Sequence, residues 1–321
     1  MKACVVKELS GPSGIVYADV PDVTGGDETV VVEVRAAGVC FPDLLMTKGE
    51  YQLRVPPPFT PGMEIAGVVT TAPAGSGFTA GDRVSASTLL GGYAEQVAVP
   101  VAAVRRSPAE LDDAEAVSLL VNYNTMYFAY ERRAALRPGE TVLVLGSAGG
   151  VGTAAIQIAK AMGAKVIAAV HRESATDFVS SLGPDAVIPL TEGWAQAVRD
   201  ATGGRGVDIV VDPVGGAAFD DAIRTLATDG RLLVIGFAAG GIPTVKVNRL
   251  LLRNIGVLGV AYGEYINRDP ASAAVFADGL ATLVTAGLKP PPAQRYPLSE
   301  AQAALQSLDD GGVFGKVVLE P

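Results

Sequence analysis

One segment, residues 141–163, constrains the fold of this chain more than any other: TVLVLGSAGGVGTAAIQIAKAMG. An apolar run leads into a glycine-rich turn and then into a run without charge before Lys160, which predicts a strand, a tight turn and a helix. Residues 165–170 predict a second strand. The turn contains Gly146, Ser147, Gly149, Gly150, Val151 and Gly152. We interpret this βαβ pattern as a dinucleotide pyrophosphate site, the alternative being an ordinary glycine-rich loop, because glycines let backbone N–H groups approach a phosphate at a helix N-terminus.

The tip of the second predicted strand indicates which dinucleotide is bound. An acidic residue about 20 positions beyond the glycines hydrogen-bonds the ribose 2′-hydroxyl of NAD in such folds. Here the strand ends Val170, His171, Arg172, with a guanidinium and no carboxylate at the tip. A guanidinium favours a 2′-phosphate, so we predict NADPH. The alternatives are that Arg172 is a solvated charge next to Glu173, and that His171 lies on the surface instead of against adenine.

Length and composition restrict the remaining possibilities. A chain of 321 residues, 49% of them apolar, predicts two domains with large cores. There is no signal-like N-terminus and no apolar run long enough to span a membrane, so we expect a cytoplasmic protein. A formal charge of −9 without a basic run argues against a nucleic acid partner. Two cysteines, Cys4 and Cys40, are too few for a disulfide framework or a Cys-rich zinc lobe.

The pattern of predicted strands changes along the chain. From residue 141 onward, strands such as DAVIPL, VDIVVD, GRLLVIGF and IGVLGV alternate with helical segments, which predicts an α/β doubly wound parallel sheet of the Rossmann type. Before about residue 105, short strand-like runs are separated by Gly, Pro and Asp turns, which indicates a β-rich, barrel-like domain. Residues 114–135 predict a helix that links the two parts.

The combined motifs GVCFPDLL, PGMEIAG, GGYAEQV, VLVLGSAGGVG, GVDIVVDPVGG and GKVVL resemble the zinc-independent quinone oxidoreductase branch of the medium-chain dehydrogenase/reductase superfamily. The resemblance implies a GroES-like catalytic domain made of residues 1–120 and 262–321, and an NADP-binding Rossmann domain of residues 121–261. It also implies an active site in the cleft that reduces quinones or activated carbon–carbon double bonds with NADPH.

Zinc-dependent members of the superfamily carry metal ligands at three positions that are occupied here by Cys40, Met63 and Val121. A catalytic zinc takes about three N, S or O ligands from the protein. A thiol, a thioether and an aliphatic side chain do not supply them, so we predict no metal. Many quinone reductases carry asparagine at the position of Cys40. Its alternative role is that of a small buried thiol, neither ligand nor nucleophile.

Candidate catalytic residues follow from the resemblance and from the chemistry. Without a Lewis acid an alkoxide is poorly stabilised, whereas an enone or quinone carbon accepts hydride directly and then needs only a proton. The resemblance implies that Tyr51 is a hydrogen-bond donor facing the substrate; the alternative is packing under the prolines at 56–58. Asp43 orients the same loop or caps a short helix. Cys40 completes the predicted catalytic set.

On the cofactor side, the resemblance implies that Asn124 and Thr125 meet the nicotinamide ribose and ring. Gly236 and Phe237, at the end of the fifth strand, reach the carboxamide, and Tyr262, after the sixth strand, shields the ring. Each is expected at the carboxyl end of a strand or at a helix lining the cleft. For Phe237 and Tyr262 the alternatives are core packing and a dimer seam.

Two further questions concern partners and substrates. The apolar strand IGVLGV forms a predicted sheet edge, and the resemblance implies a homodimer joined there, the alternative being a monomer whose C-terminal segment covers the edge. The small-molecule substrate is a quinone or enone. Rival interpretations are an enoyl-thioester reductase, with Arg105 and Arg106 as one candidate basic pair for coenzyme A, and a non-catalytic NADPH-binding protein.

Overall fold

The structure is a computed structural model that describes residues 1–321. The chain divides into two compact units. The first consists of Met1–Val121 and Lys289–Pro321, and the second of Asn122–Leu288. Each unit is described by itself.

The strands in chain order are β1 (Lys2–Val6), β2 (Ile15–Asp19), β3 (Thr29–Val39), β4 (Glu64–Thr71), β5 (Arg83–Ser87), β6 (Gln96–Pro100), β7 (Val104–Arg106), β8 (Thr141–Val144), β9 (Lys165–Val170), β10 (Ala186–Pro189), β11 (Val207–Asp212), β12 (Leu226–Val234), β13 (Gly256–Gly259), β14 (Gln294–Pro297) and β15 (Val317–Glu320). The helices are α1 (Phe41–Lys48), α2 (Asp113–Ser118), α3 (Asn124–Phe128), α4 (Gly150–Ala161), α5 (Thr176–Ser181), α6 (Trp194–Ala201), α7 (Ala218–Thr225), α8 (Val247–Arg253), α9 (Tyr262–Arg268), α10 (Ser272–Thr285) and α11 (Ala301–Asp309).

The first unit is built around a seven-stranded sheet in the order β14-β15-β3-β4-β5-β7, with β6 also paired to β3. All its pairs are antiparallel except β14–β15, and the hairpin of β1 and β2 forms a separate small sheet. The C-terminal strand β15 pairs with β3, Val317 lying opposite Val39. Both chain ends therefore contribute to this unit, and the predicted β-rich architecture is confirmed.

The second unit contains one six-stranded parallel sheet in the order β10-β9-β8-β11-β12-β13. Counted from β8, this is the strand order 3-2-1-4-5-6 of a doubly wound dinucleotide-binding fold. The chain changes direction across the sheet between β8 and β11, where such folds bind their ligands at the carboxyl ends of the strands. The predicted parallel sheet and all six of its strands are confirmed.

Burial on both faces explains the composition of the central elements. The residues of β8 are all buried, as expected for a central parallel strand covered on both sides. Helix α4 buries most of its length, including Ile156 and Ile158, which accounts for the absence of charge before Lys160. Helix α4, which follows the central strand β8, is thereby packed firmly against the sheet.

The predicted helix over residues 114–135 is confirmed, because residues 113–134 are helical without a break, with π-helical turns at 119–123 and 129–134 following α2 and α3. One segment differs from the sequence interpretation. Residues 262–288 carry α9 and α10 and lie in the second compact unit, whereas the sequence interpretation placed them in the first domain. The domain boundaries at 120/121 and 261/262 stay predictions. No helix has both the length and the apolar character needed to cross a membrane.

Candidate functional site

The glycine turn lies between β8 and α4, at the carboxyl edge of the parallel sheet. Gly146 adopts φ 59°, a left-handed conformation that glycine tolerates best. The buried Ser147 hydroxyl donates to the carbonyl of Val144 at 2.8 Å and ties the turn to the strand. Gly149 is the N-cap of α4, and its carbonyl accepts from the N–H of Thr153 at 2.8 Å. The first N–H groups of α4 have no partner within the helix and face this turn.

Gly152 is required by the turn itself. A β-carbon on Gly152 would lie 2.2 Å from the carbonyl oxygen of Gly146 and 2.7 Å from the Cα of Ser147. The helix therefore approaches the turn closely only because position 152 has no side chain. Gly149 is less constrained, since a β-carbon there would meet only the Gly146 oxygen at 3.5 Å. This cradle can receive a pyrophosphate by backbone N–H groups and the helix dipole.

Asn122 is a candidate residue that the sequence analysis missed. A β-carbon on Gly150 would lie 2.2 Å from Asn122 Nδ2, so the amide group is already next to the first residue of α4. The neighbouring Tyr123 hydroxyl donates to Gln157 of α4, which fixes this π-helical turn against that helix. Asn122 is 28 positions from Gly150 in the sequence, and no spacing rule connects the two. The sequence contained no signal for this contact.

Asn124 and Thr125 begin α3 in the same unit. Asn124 is buried and Thr125 is half-buried. They follow directly on the π-helical turn that contacts α4, so the backbone that carries this polar pair is anchored to α4. Their predicted contact with the nicotinamide ribose stays a prediction.

His171 and Arg172 directly follow β9, which pairs in parallel with β8. Their backbone therefore lies at the same edge of the sheet as the glycine turn. His171 is exposed, and Arg172 is half-buried as the N-cap of the short helical turn Glu173–Ala175. This placement fits the predicted recognition of the adenosine ribose, which itself stays a prediction.

The carboxyl end of β12 lies at the same edge, but the strand ends at Val234, three residues before the predicted end at Phe237. Gly236 and Phe237 therefore belong to the loop that follows. Phe237 is 38% exposed, so core packing is not its main role. Its ring would lie 3.1 Å from a β-carbon on Gly215, which places it against the loop after β11.

Asp212 is a second residue that the sequence analysis did not single out. It ends β11 and is almost wholly buried, and its Oδ1 accepts the N–H groups of Val214 and Gly215 at 2.9 and 2.8 Å. Burial raises the pKa of this carboxyl. Asp212 thereby shapes the loop against which Phe237 packs. The motif VDPVGG contained the signal, since an aspartate before such a turn commonly accepts from the backbone ahead of it.

Tyr262 lies at the start of α9 and belongs to an aromatic cluster within the second unit. Its ring centroid is 5.8 Å from that of Phe128 and 6.1 Å from that of Phe276. Tyr265 packs on the same Phe128 ring at 5.0 Å. These contacts support packing as one role of Tyr262, and its predicted shielding of the nicotinamide stays a prediction.

In the first unit, Asp43 is the third residue of α1 and completes a capping arrangement at its N-terminus. Its Oδ2 accepts the N–H of Cys40 at 2.9 Å and the hydroxyl of Tyr93 at 3.2 Å, and its Oδ1 accepts the N–H of Gly62 at 3.1 Å. Burial raises the pKa of Asp43 to about 7, against the effect of the hydrogen bond from Cys40. These contacts assign Asp43 to holding three backbone segments together; a catalytic role for it stays a prediction.

Cys40 belongs to a buried cluster with two ionisable side chains. Its Sγ donates to Glu64 Oε1 at 3.1 Å and accepts from Lys316 Nζ at 3.2 Å. Lys316 also pairs with Glu64 Oε1 and donates to the carbonyl of Val39 at 3.2 Å. The second Glu64 oxygen accepts the N–H of Val121 at 2.8 Å. We call Cys40, Glu64 and Lys316 the buried charge cluster.

The charge cluster has a defined electrostatic state. Burial and the nearby Glu64 carboxylate raise the pKa of the Cys40 thiol well above its ordinary value, which favours the neutral thiol. Burial alone would lower the pKa of Lys316, but Cys40 and Glu64 outweigh it and raise the pKa. The cluster is therefore an ammonium–carboxylate pair with a thiol bridging the two. Neither Glu64 nor Lys316 was singled out from the sequence.

Tyr51 lies after α1 and is half-buried, packed against the hydrophobic core of the first unit. Its predicted role as a donor and the alternative of packing under the prolines at 56–58 both stay predictions. Arg106 pairs with Asp82 at 2.7 Å, and Arg105 donates to the carbonyls of Ala102 and Val104. Both arginines already have partners within the first unit.

Comparison with known families gives two matches. A family described as "Zinc-binding dehydrogenase" matches residues 150–278, and one described as "Alcohol dehydrogenase GroES-like domain" matches residues 26–109. The "Quinone oxidoreductase-like protein 2" of Rattus norvegicus is 37% identical over 284 residues, covering 88% of this chain and 80% of that protein. Both units of the chain therefore match dehydrogenase families, and a quinone oxidoreductase-like protein matches across both.

Solved structures agree over the full length. A probable oxidoreductase from Mycobacterium abscessus is 60% identical with a TM-score of 0.94, covering 100% of this chain and 99% of the other. The quinone oxidoreductase from Thermus thermophilus, also solved as its complex with NADPH, is 37% identical with a TM-score of 0.87 and complete coverage of both chains. The CurK enoyl reductase is 25% identical with a TM-score of 0.90, covering 99% of this chain and 98% of the other.

Proposed function

Because the chain belongs to the zinc-independent quinone oxidoreductase branch of the medium-chain dehydrogenase/reductase superfamily, we propose that it transfers hydride from NADPH to a quinone or an α,β-unsaturated carbonyl compound. The observation that carries this proposal is the close approach of the Gly152 backbone to the Gly146 carbonyl, at the switch point of the parallel sheet. A turn of this shape would receive the phosphates of a dinucleotide. The chain's relative from Thermus thermophilus was solved with NADPH, which supports the choice of cofactor.

The residues of the second unit fit NADPH. The first N–H groups of α4 would bind the pyrophosphate, and Arg172 would bind the 2′-phosphate by charge-assisted hydrogen bonds. Asn124 and Thr125 would orient the nicotinamide ribose. NADPH, when bound, supplies the hydride. The protein's task is therefore to align a flat acceptor with the nicotinamide ring and to exclude water.

In the first unit the chain has to provide a proton or a hydrogen bond for the acceptor oxygen, where negative charge develops as hydride arrives. A phenol donates a hydrogen bond to such an oxygen, and Tyr51 is the candidate. Asp43 fixes the α1 N-terminus that leads into the Tyr51 segment. No step requires a metal ion, because delocalisation in a conjugated acceptor replaces alkoxide stabilisation.

Steady-state oxidation of NADPH against quinones, enones and enoyl-CoA thioesters tests the proposal. We expect turnover with at least one quinone or enone and a clear preference for NADPH over NADH. Turnover restricted to enoyl thioesters would replace it with the rival reductase, to which the likeness to the CurK enoyl reductase gives some support. Tight binding of NADPH without reduction of any acceptor would indicate that the chain is a non-catalytic NADPH-binding protein.

The proposed partner of the second unit is another copy of the same chain, joined at β13. This strand pairs only with β12 and leaves its other edge open. The preceding helix α8 exposes Val247, Leu251 and Leu252 by 74%, 76% and 78%, an extent of apolar exposure that favours a protein contact. The C-terminal strand β15 lies between β14 and β3 in the first unit's sheet and does not pair with β13.

A further inference from the structure

The buried charge cluster includes Cys40, one of the three positions at which the family resemblance implies metal ligands in zinc-dependent relatives. Of the three ligand positions, only Cys40 carries a ligand side chain, since Met63 is half-buried against the core and Val121 contributes a backbone N–H to Glu64. Across residues 1–321, no group of three or more His, Cys, Asp or Glu side chains is arranged to hold a metal ion. The family's zinc therefore does not fit this chain.

The polar atoms of the cluster nevertheless converge on one positive charge. The Nζ of Lys316 has three N–H donors, and three acceptors surround it: the Cys40 Sγ at 3.2 Å, the Val39 carbonyl oxygen at 3.2 Å and the Glu64 carboxylate. A sulfur, a carboxylate and a carbonyl oxygen are also the kinds of atom that coordinate a divalent cation. The three acceptors that bind the ammonium are thus atoms of the same kinds that bind a metal ion.

We propose that the ammonium group of Lys316 takes the place of a metal cation in this chain, neutralising Glu64, holding Cys40 and excluding a divalent cation from both. The distance between the two side-chain atoms that could ligate a metal ion supports this proposal. Cys40 Sγ and Glu64 Oε1 are 3.1 Å apart. A tetrahedral zinc with ordinary Zn–S and Zn–O bonds separates two such atoms by about 3.6 Å, so a small adjustment would suffice once the ammonium is removed.

Charge supplies the second reason. Glu64 is wholly buried and Lys316 almost so, and a buried carboxylate without a compensating charge is strongly unfavourable. A neutral residue at position 316 would leave Glu64 in that state beside a thiol that releases its proton to the solvent when it binds a metal ion. Because like charges repel strongly at this distance in a poorly polarisable interior, removing the ammonium should tighten cation binding by about two to three orders of magnitude.

The experiment is a titration of the purified full chain with Cd²⁺, followed by the ultraviolet absorption of the cadmium–thiolate bond and by the shift of the unfolding temperature. Five proteins are compared: wild type, Cys40→Ser, Lys316→Met, Lys316→Arg and Lys316→Met/Cys40→Ser. We expect Lys316→Met to develop the thiolate band and to gain thermal stability with one cadmium bound. Wild type and Lys316→Arg, which keep the positive charge, should do neither, and the double variant should lose the band.

Two outcomes would overturn the proposal. One is a wild type that binds Cd²⁺ as tightly as Lys316→Met, with a band that disappears in Cys40→Ser. The other is a folded Lys316→Met that shows neither band nor stabilisation. If Lys316→Met does not fold alone, refolding in the presence of Cd²⁺ becomes the measurement, with Lys316→Gln as a second neutral variant. Failure of both to fold with the cation, while Lys316→Arg folds, also counts against it.

Discussion

The hydroxyl of Tyr93 donates to Oδ2 of Asp43 at 3.2 Å, and both side chains are completely buried. Asp43 is therefore a carboxyl group held by three donors, the Tyr93 hydroxyl and the N–H groups of Cys40 and Gly62, in a place that water does not reach. Its protonation is consequently linked to the stability of the first unit.

We expect the stability contribution of Asp43 to depend on pH in an unusual direction. Burial raises its pKa in the folded protein to about 7, whereas an aspartate in the unfolded chain has a pKa of about 3.9. Between these values the folded chain binds the proton more strongly. The contribution is therefore fully present below about pH 4 and is lost as the pH rises through about 7, by at most about 4 kcal/mol.

Urea unfolding of wild type and Asp43→Asn at several pH values measures this effect. Carboxyls with lowered pKa, such as Asp185 and Asp208, produce the opposite slope in both proteins, so the difference between the two is the relevant quantity. The stability of wild type relative to Asp43→Asn should decrease from pH 4 to pH 7. A difference that increases over this range would show that Asp43 is ionised throughout in the folded state.

Arg172→Asp should weaken NADPH binding by about 10- to 100-fold, the value of a charge-assisted hydrogen bond, and should affect NADH much less. Dissociation constants from calorimetry for the two nucleotides provide the measurement. Arg224→Asp is the matched control, because Arg224 is an exposed arginine of the same unit that pairs only locally with Asp221. If both substitutions weakened NADPH binding equally, the change in net charge would explain the effect and a specific role for Arg172 would be refuted.

Gly152→Val should destabilise the second unit as well as weaken NADPH binding. The first clash of a side chain at position 152 is with the Gly146 carbonyl, within the turn itself. We expect a loss of about 3 kcal/mol in unfolding free energy. Gly149→Ala is the comparison, since its β-carbon meets no atom closer than 3.5 Å. Comparable loss of stability in both variants would contradict the assignment of the clash.

Leu251→Asp/Leu252→Asp should convert the proposed dimer to a monomer by placing charges on the exposed face of α8. Size-exclusion chromatography with light scattering gives the mass directly. Val275→Asp is the control, because Val275 is an exposed valine on α10, outside the proposed contact. A wild type that is monomeric at all concentrations would refute the proposed contact, and a dimeric double variant would locate the interface elsewhere.

The parts of the fold that the sequence predicted well depend on short-range patterns. The apolar run before Gly146 and the charge-free run after Gly152 identified β8 and α4, because burial on both faces and the close turn each leave a local imprint. The six strands of the second unit were recognisable for the same reason. The domain resemblance followed from ordered motifs. The predicted end of β12 lay three residues beyond the observed end at Val234, since strand ends depend on pairing.

Amino-acid order by itself determined a parallel-sheet unit with a glycine turn, a basic strand tip at Arg172 and the lack of zinc ligands at Met63 and Val121. Only the tertiary structure decided which distant groups meet: Asn122 beside Gly150, Tyr93 on Asp43, and Lys316 on Cys40 and Glu64. Periodicity reports which face of an element is buried, but it does not report which element covers that face. The pairing of β15 with β3 is the physical event that places a lysine from the end of the chain against a thiol near its beginning.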